Sequence, residues 1–337
     1  MVRREGFGLP AYLAFAAATV FTLLVCVSLG SVKLPLRETF GLLWNAMAGR
    51  GTGTGMSATI VFSVRLPRVL CVALTGASLS VCGAAMQGLL KNPLADGSTL
   101  GVSSGASLGA VISIAFGITL PGIPLAGTMS MAMLFAFLSL VVILGLAYRL
   151  DGSLSTGTII LIGVIYSMFV SSVLSLVITF APDKVQSITF WTMGSLTGRG
   201  YIHVLVLLGA LAIFGGVLFG CFAIGEDNAR HIGVNVRRVK LTVMIAVSAL
   251  IGVCVSVGGT IGFVGLVTPH MVRLITGPNH RRLLPASAFG GAIFLMLCDL
   301  LARTLFDPRE LPVGVVTSFI GSILFVVIFI RTRRGEK

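Results

Sequence analysis

The chain has 337 residues, 24 Lys and Arg against 11 Asp and Glu, and 56% hydrophobic residues. Charged residues make up 10%, where a soluble domain carries about 25%, and mean hydropathy is +1.04. No soluble fold of this length hides so much apolar surface, which excludes soluble enzymes, nucleic-acid binders and disordered chains. The net charge of +13 is scattered between apolar runs, as membrane topology requires. The composition reads as an all-α polytopic membrane bundle, one transmembrane domain over 1–337 with about ten spans.

In chain order, Ala11 to Val32 is 22 residues without a charge, which gives span one at about 11–31. A plausible amphipathic helix follows at 36–48, then a loose Gly/Thr loop at 49–55. Span two is placed at about 67–90. The 52 uncharged residues from Gly97 to Tyr148 are split by Pro121 and Pro124 into span three (98–117) and span four (127–148). Span five is about 157–180, and Ile188 to Leu196 is too short to cross, which makes it a surface half-helix. Span six is about 200–222. A polar segment, 225–240, precedes span seven (241–257), a glycine- and proline-interrupted span eight (258–277), span nine (285–305) and span ten (312–330).

Ten spans put both termini on one side. With the termini inside, 15 of the 24 Lys and Arg fall on inner segments, so the positive-inside rule makes both termini cytoplasmic. The six cysteines lie in apolar runs without a CxxC pair and read as small core residues. No phosphate loop occurs, and the histidines form no HExxH or close pair. Asp299 is the sole acid well inside a span, four residues before Arg303, the spacing of a helical ion pair. A transport-like bundle with so few mid-membrane titratable groups draws its energy from another polypeptide.

Three stretches carry a resemblance. The first is Arg65-Leu-Pro-Arg-Val69 with Gly83-Ala-Ala-Met-Gln-Gly-Leu-Leu-Lys-Asn-Pro-Leu-Ala-Asp96 and Leu100-Gly-Val-Ser-Ser-Gly-Ala106. The second is Gly225-Glu-Asp-Asn-Ala-Arg-His-Ile-Gly233. The third is Gly259-Thr-Ile-Gly-Phe-Val-Gly-Leu-Val-Thr-Pro-His-Met-Val-Arg273, continued by Asp299 to Arg303 and Glu310-Leu-Pro-Val-Gly314. Together, from about residue 60 to the C-terminus, they resemble the FecCD family of bacterial ABC-importer permeases, which move ferric siderophores, haem or cobalamin. The resemblance implies a multi-pass subunit of the bacterial inner membrane with an inverted repeat. It also implies a second permease subunit (homo- or heterodimer), two cytoplasmic ATP-binding subunits and an extracytoplasmic substrate-binding protein. It implies a transport subunit without its own ATPase site or cofactor, ATP being bound by the partners. Ferric siderophore is the leading cargo, with haem and cobalamin as alternatives. An ion-coupled secondary transporter is the rival from another class.

Site residues follow from both sources. Arg65, Arg68 and Arg303 lie at outer span ends, either as interfacial anchors or as a basic collar for an acidic partner. The resemblance favours binding-protein docking for Arg65 and Arg303, while Arg68 reads as support for Pro67 and its turn. In the polar segment, Glu226 near a helix start and Gly233 as a break give two short helices. The resemblance makes this the cytoplasmic coupling loop, with Glu226, Ala229, Arg230 and Gly233 at the ATPase. Asn92-Pro93-Leu94 and Ser155-Thr156-Gly157 suit ordinary turns and caps. The resemblance places a cytoplasmic gate there, at Asn92, Leu94 and Thr156. His270, beside Pro269, is assigned no chemistry and no metal.

Overall fold

The computed structural model describes residues 8–30, 32, 34–51, 53, 55–119, 126–152, 155–223 and 236–335. Among these it is helical without strands. We number the helices α1 (Leu9–Ser28), α2 (Leu36–Met47), α3 (Met56–Leu89), α4 (Val102–Phe116), α5 (Ala126–Leu150) and α6 (Thr156–Phe180). They continue as α7 (Val185–Thr192), α8 (Tyr201–Phe222), α9 (Val236–Gly258), α10 (Val264–Thr276), α11 (His280–Thr304) and α12 (Val313–Gly335). Seven of them (α1, α3, α5, α6, α8, α9 and α11) are long and apolar enough to cross a membrane. The other three expected spans coincide with the short α4 and α10 and with α12, whose apolar part is Val313–Ile328.

Three of the long helices form the centre. Of the apolar windows of α3, α9 and α11, 78%, 78% and 61% is buried, against 22% for α1, α6 and α8. The outer helices carry apolar side chains outward, as Leu161, Ile165, Met168 and Phe169 do along α6, a surface that only lipid or another apolar chain satisfies. Glycine makes the centre dense. A Cβ on Gly83 would fall onto the carbonyl oxygen of Gly265 in α10, and one on Gly76 onto that of Gly291 in α11. The helix backbones therefore touch, the geometry that small residues permit where no water drives helices together.

The structure departs from the expected spans at three places. Span two begins at Met56 rather than 67, because α3 runs through Pro67 without a break and contains a π-helical turn at Ile60–Arg65. Proline has no N–H to offer, and the π turn just before it shifts the hydrogen-bond register there; Tyr201 Oη donates to the Phe62 carbonyl inside that turn at 2.7 Å. Span three is shorter than expected, since Gly97–Leu100 forms a 3-10 turn and Gly101, at φ +75°, separates it from α4. Span eight starts unwound: after Gly258 the chain leaves the helix, turning at Gly259 with φ +70°, and re-enters at Val264. The expected polar segment 225–240 is helical from Val236 onward, within α9.

Candidate functional site

Charged side chains converge at one end of α3 and α11. The Arg68 guanidinium donates from Nε (3.1 Å) and Nη2 (2.9 Å) to Asp299 Oδ1 on α11. Its Nη1 donates to both oxygens of Glu310, at 3.1 and 2.9 Å, in the loop between α11 and α12. Glu310 Oε2 also accepts from Thr197 Oγ1 at 3.0 Å, which ties in the loop between α7 and α8. Asp299, 1% exposed, forms its second ion pair with Arg303 at 3.3 Å. The spacing-based pair is therefore present, but the carboxylate is shared between two helices. Charge-assisted bonds of this kind are among the stronger ones available, and in a buried setting each partner is costly to strand.

The other two arginines close α1. Arg65 Nη1 donates to the carbonyls of Val27 (3.1 Å) and Ser28 (2.9 Å), and Nη2 to that of Val32. Arg303 Nη2 donates to the Cys26 carbonyl. A helix C-terminus presents carbonyls without intrahelical partners and a negative dipole end, so two cations satisfy both demands. Gly30 makes room, its Cα standing against the Arg65 guanidinium where a Cβ would lie 3.0 Å from Nη2. Within this cluster Arg65, Arg68 and Arg303 face Asp299 and Glu310, an excess of one positive charge. Nearby, Arg199 donates from Nε to the Val257 carbonyl at 2.6 Å, and burial pulls its guanidinium below the ordinary value against a smaller opposing pull from Cys71.

Sequence reasoning had given Arg68 only a supporting role at a turn. There is no turn at Pro67, and Arg68 is the hub, buried and bonded to two carboxylates. Arg65 and Arg303 are likewise 5% and 4% exposed; both donate to carbonyls at the end of α1, and Arg303 adds its ion pair with Asp299. Glu310 was missed altogether; its sole signal was its place in the Glu-Leu-Pro-Val-Gly stretch.

The opposite end combines local turns and caps with one tie between α3 and α10. Asn92 Oδ1 accepts from the Leu94 N–H at 2.9 Å, closing an Asx turn after α3, and Leu94 is 51% exposed. Ser155 caps α6, its Oγ accepting from the Thr158 N–H at 3.4 Å, and Thr156 is the first helical residue. Asp151 Oδ2 accepts from the Ser155 N–H (3.1 Å) and Thr158 Oγ1 (3.3 Å). Arg273 Nη2 donates to Gln87 Oε1 at 3.2 Å, and Gln87 Nε2 to the Leu266 carbonyl at 3.2 Å, which links the ends of α3 and α10. Glu226, Ala229, Arg230 and Gly233 lie outside the described residues.

With this geometry in hand, comparison with known proteins is decisive: the model of the FecCD transport family matches residues 18–331. The chain belongs to the FecCD transport family. This FecCD chain is 42% identical to the uncharacterized ABC transporter permease protein YvrB of Bacillus subtilis, over 97% of this chain and 95% of that one. It is 36% identical to the hemin transport system permease protein HmuU of Yersinia pestis, over 92% and 94%. A solved inward-facing structure of a metal-chelate type ABC transporter superposes with a TM-score of 0.82, at 28% identity, covering 96% of this chain and 99% of that one. The FecCD chain is thus an ABC-importer permease, a multi-pass membrane transporter built as an all-α bundle.

Proposed function

We propose that this permease passes a metal chelate into the cytoplasm, a ferric siderophore first, with haem or a corrinoid as the alternatives. The observation that carries the reading is the full-length likeness to a metal-chelate type transporter. Relatives named for hemin, vitamin B12 and iron(3+)-hydroxamate import support the class. ATP is bound and hydrolysed by two partner subunits, joined at 225–240 through Glu226, Ala229, Arg230 and Gly233. The Arg68 end faces outward and both termini face the cytoplasm, in line with the distribution of Lys and Arg.

In this orientation Arg65 and Arg303 lie where an acidic substrate-binding protein docks. Their burial assigns them a second task, holding the end of α1 beneath that docking face. Asn92, Leu94 and Thr156 then stand at the cytoplasmic gate. The ion-coupled carrier is disfavoured by one specific contact: Asp299, the carboxylate such a carrier would use, is engaged by Arg68 and Arg303. Two measurements test the proposal. Mass spectrometry of the ligand held by the cognate binding protein should return a metal chelate, and a free amino acid or sugar would refute the cargo. Arg65→Glu with Arg303→Glu should lower affinity for that protein at least tenfold, and unchanged docking would return both residues to a purely internal role.

A further inference from the structure

Helix α2 has 12 residues, a length of about 18 Å, too short to cross a hydrocarbon core of about 30 Å. Both of its ends are held at the Arg68 end of the bundle. The chain reaches it from α1, past the Val32 carbonyl that accepts from Arg65 Nη2. It leaves towards α3, and Leu42 packs on that exit, its Cδ2 3.1 Å from where a Cβ on Gly53 would stand. Leu34, Leu42 and Leu43 rest on the buried core. Helix α2 therefore sits at the rim of the bundle, against α1 and close to the start of α3.

At about 100° per residue, its side chains divide among three sides. Thr39, fully buried, faces the protein together with the half-buried Leu42, Leu43 and Ala46. Phe40, Trp44 and Met47 are 50%, 64% and 77% exposed. Their spacing of four and three gathers them within about 60° of arc on one flank. Arg37, Glu38, Gly41 and Asn45, all exposed, occupy the remaining side, turned away from the protein. A helix between protein and water needs one apolar face and one polar face. This one has a second apolar flank, at roughly a right angle to the first. Three large apolar side chains in register form a stripe, which single surface exposures do not.

We propose that this stripe is a lipid-binding surface: α2 lies flat in the interfacial layer of the leaflet at the Arg68 end, with Phe40, Trp44 and Met47 among the acyl chains. The proposal rests on the bundle being embedded in a membrane, and on neither the cargo nor the energy source. Three sides match the three surroundings of a helix at that place, which are protein, lipid and water. The stripe also continues a lipid-facing surface, since α1 exposes Val20 and Phe21, and the chain leading on to α2 exposes Leu29 and Val32. Tryptophan favours the interface, where its apolar ring and polar N–H are both served. Arg37, at the border of the stripe and the polar side, supplies a cation for the lipid phosphate. A protein arriving from the water meets Glu38, Gly41 and Asn45, and the stripe is turned aside from it. Lipid held by α2 thus sets the depth of the α1 end that Arg65 and Arg303 bind.

The test uses the full chain in nanodiscs of phosphatidylethanolamine and phosphatidylglycerol, with no other protein added. Phe40→Cys and Asn45→Cys, one on the stripe and one on the polar side, are each labelled with a nitroxide. The unsubstituted chain gives the background from its own cysteines, five of them buried. Collision with oxygen, which concentrates among acyl chains, is compared with collision with a water-soluble nickel chelate. Oxygen should lead at least about threefold at position 40, and the nickel chelate should lead at position 45. Any other ranking overturns the proposal. The nickel chelate leading at both positions would show a stripe facing water, and oxygen leading at both a helix sunk in hydrocarbon. Little collision with either reagent at position 40 would show a second copy of the chain covering the stripe. The two tryptophans give an independent readout. In Trp191→Phe the remaining Trp44 should lose about half its emission to lipids brominated near the ester carbonyl, and less to lipids brominated near the chain end. Emission that responds to aqueous iodide and to neither brominated lipid would contradict the lipid contact.

Discussion

At the Arg68 end, side chains bond across 231 and 242 residues of sequence, from α3 to α11 and to the loop beyond it. At the Asn92 end, bonds spanning two to seven residues close the turns and cap α6, and Gln87 at the end of α3 reaches Arg273 and the Leu266 carbonyl of α10 without any carboxylate. Between them lies the glycine crossing of α3 with α10 and α11, where no side chain intervenes. The difference shows how a thin, apolar bundle divides its work. Long-range charge pairing with two carboxylates fixes which helix ends meet at one face, whereas the other combines local caps with the tie of Gln87 to Arg273 and to the Leu266 carbonyl. A face that receives a partner benefits from the first arrangement, and a face that opens and closes from the second.

The largest break in that contrast comes from Asp299. Asp299→Asn leaves Arg68 and Arg303 buried without their shared counter-charge, and removing one member of a buried ion pair costs about 3–5 kcal/mol. Thermal unfolding of the detergent-solubilised variant should show a large drop in midpoint or a failure to accumulate. A wild-type midpoint would mean that the cluster is not a structural latch. At the other end the cost should be smaller and local. Ser155→Ala removes the α6 cap at a cost of about 1 kcal/mol, and hydrogen exchange should quicken in the first turn of α6 alone. Exchange quickening across α3 as well would erase the distinction between the ends.

Glu310→Gln sharpens the comparison from within the cluster. The Glu310 side chain is 35% exposed, so solvent screens its pair with Arg68 and the loss should stay below about 1 kcal/mol. Raising salt to 1 M, where the screening length is about 3 Å, should shrink that effect and leave the Asp299→Asn effect largely intact. Equal salt sensitivity of the two variants would place Asp299 in contact with solvent, against its burial.

These ends also differ in how far the sequence discloses them. The start of α6 is visible because Ser155-Thr156-Gly157 follows a charged segment and carries its own cap, and the helix runs Thr156–Phe180 against an expected 157–180. The amphipathic α2 is equally plain. Asp299 and Arg303 are legible as a pair by their spacing of four. Arg68 is not, because nothing in its own neighbourhood names a carboxylate more than 230 positions away, and Pro67 beside it imitates a turn. The unwinding after Gly258 was foreshadowed by its glycines, but the space it borders is not, because that space exists only once α3, α4 and α6 are brought together. Periodicity reports a helix; it does not report which helices enclose a space.

The central claim is that this bundle is moved by a partner's ATP hydrolysis. The most direct measurement is chelate accumulation in proteoliposomes that hold the permease with its ATP-binding subunits and binding protein, with ATP supplied on one side and the proton gradient collapsed by an uncoupler. The account predicts transport towards the ATP side, undiminished by the uncoupler and abolished when ATP is omitted. Transport that persists without ATP and follows an imposed proton gradient would contradict it.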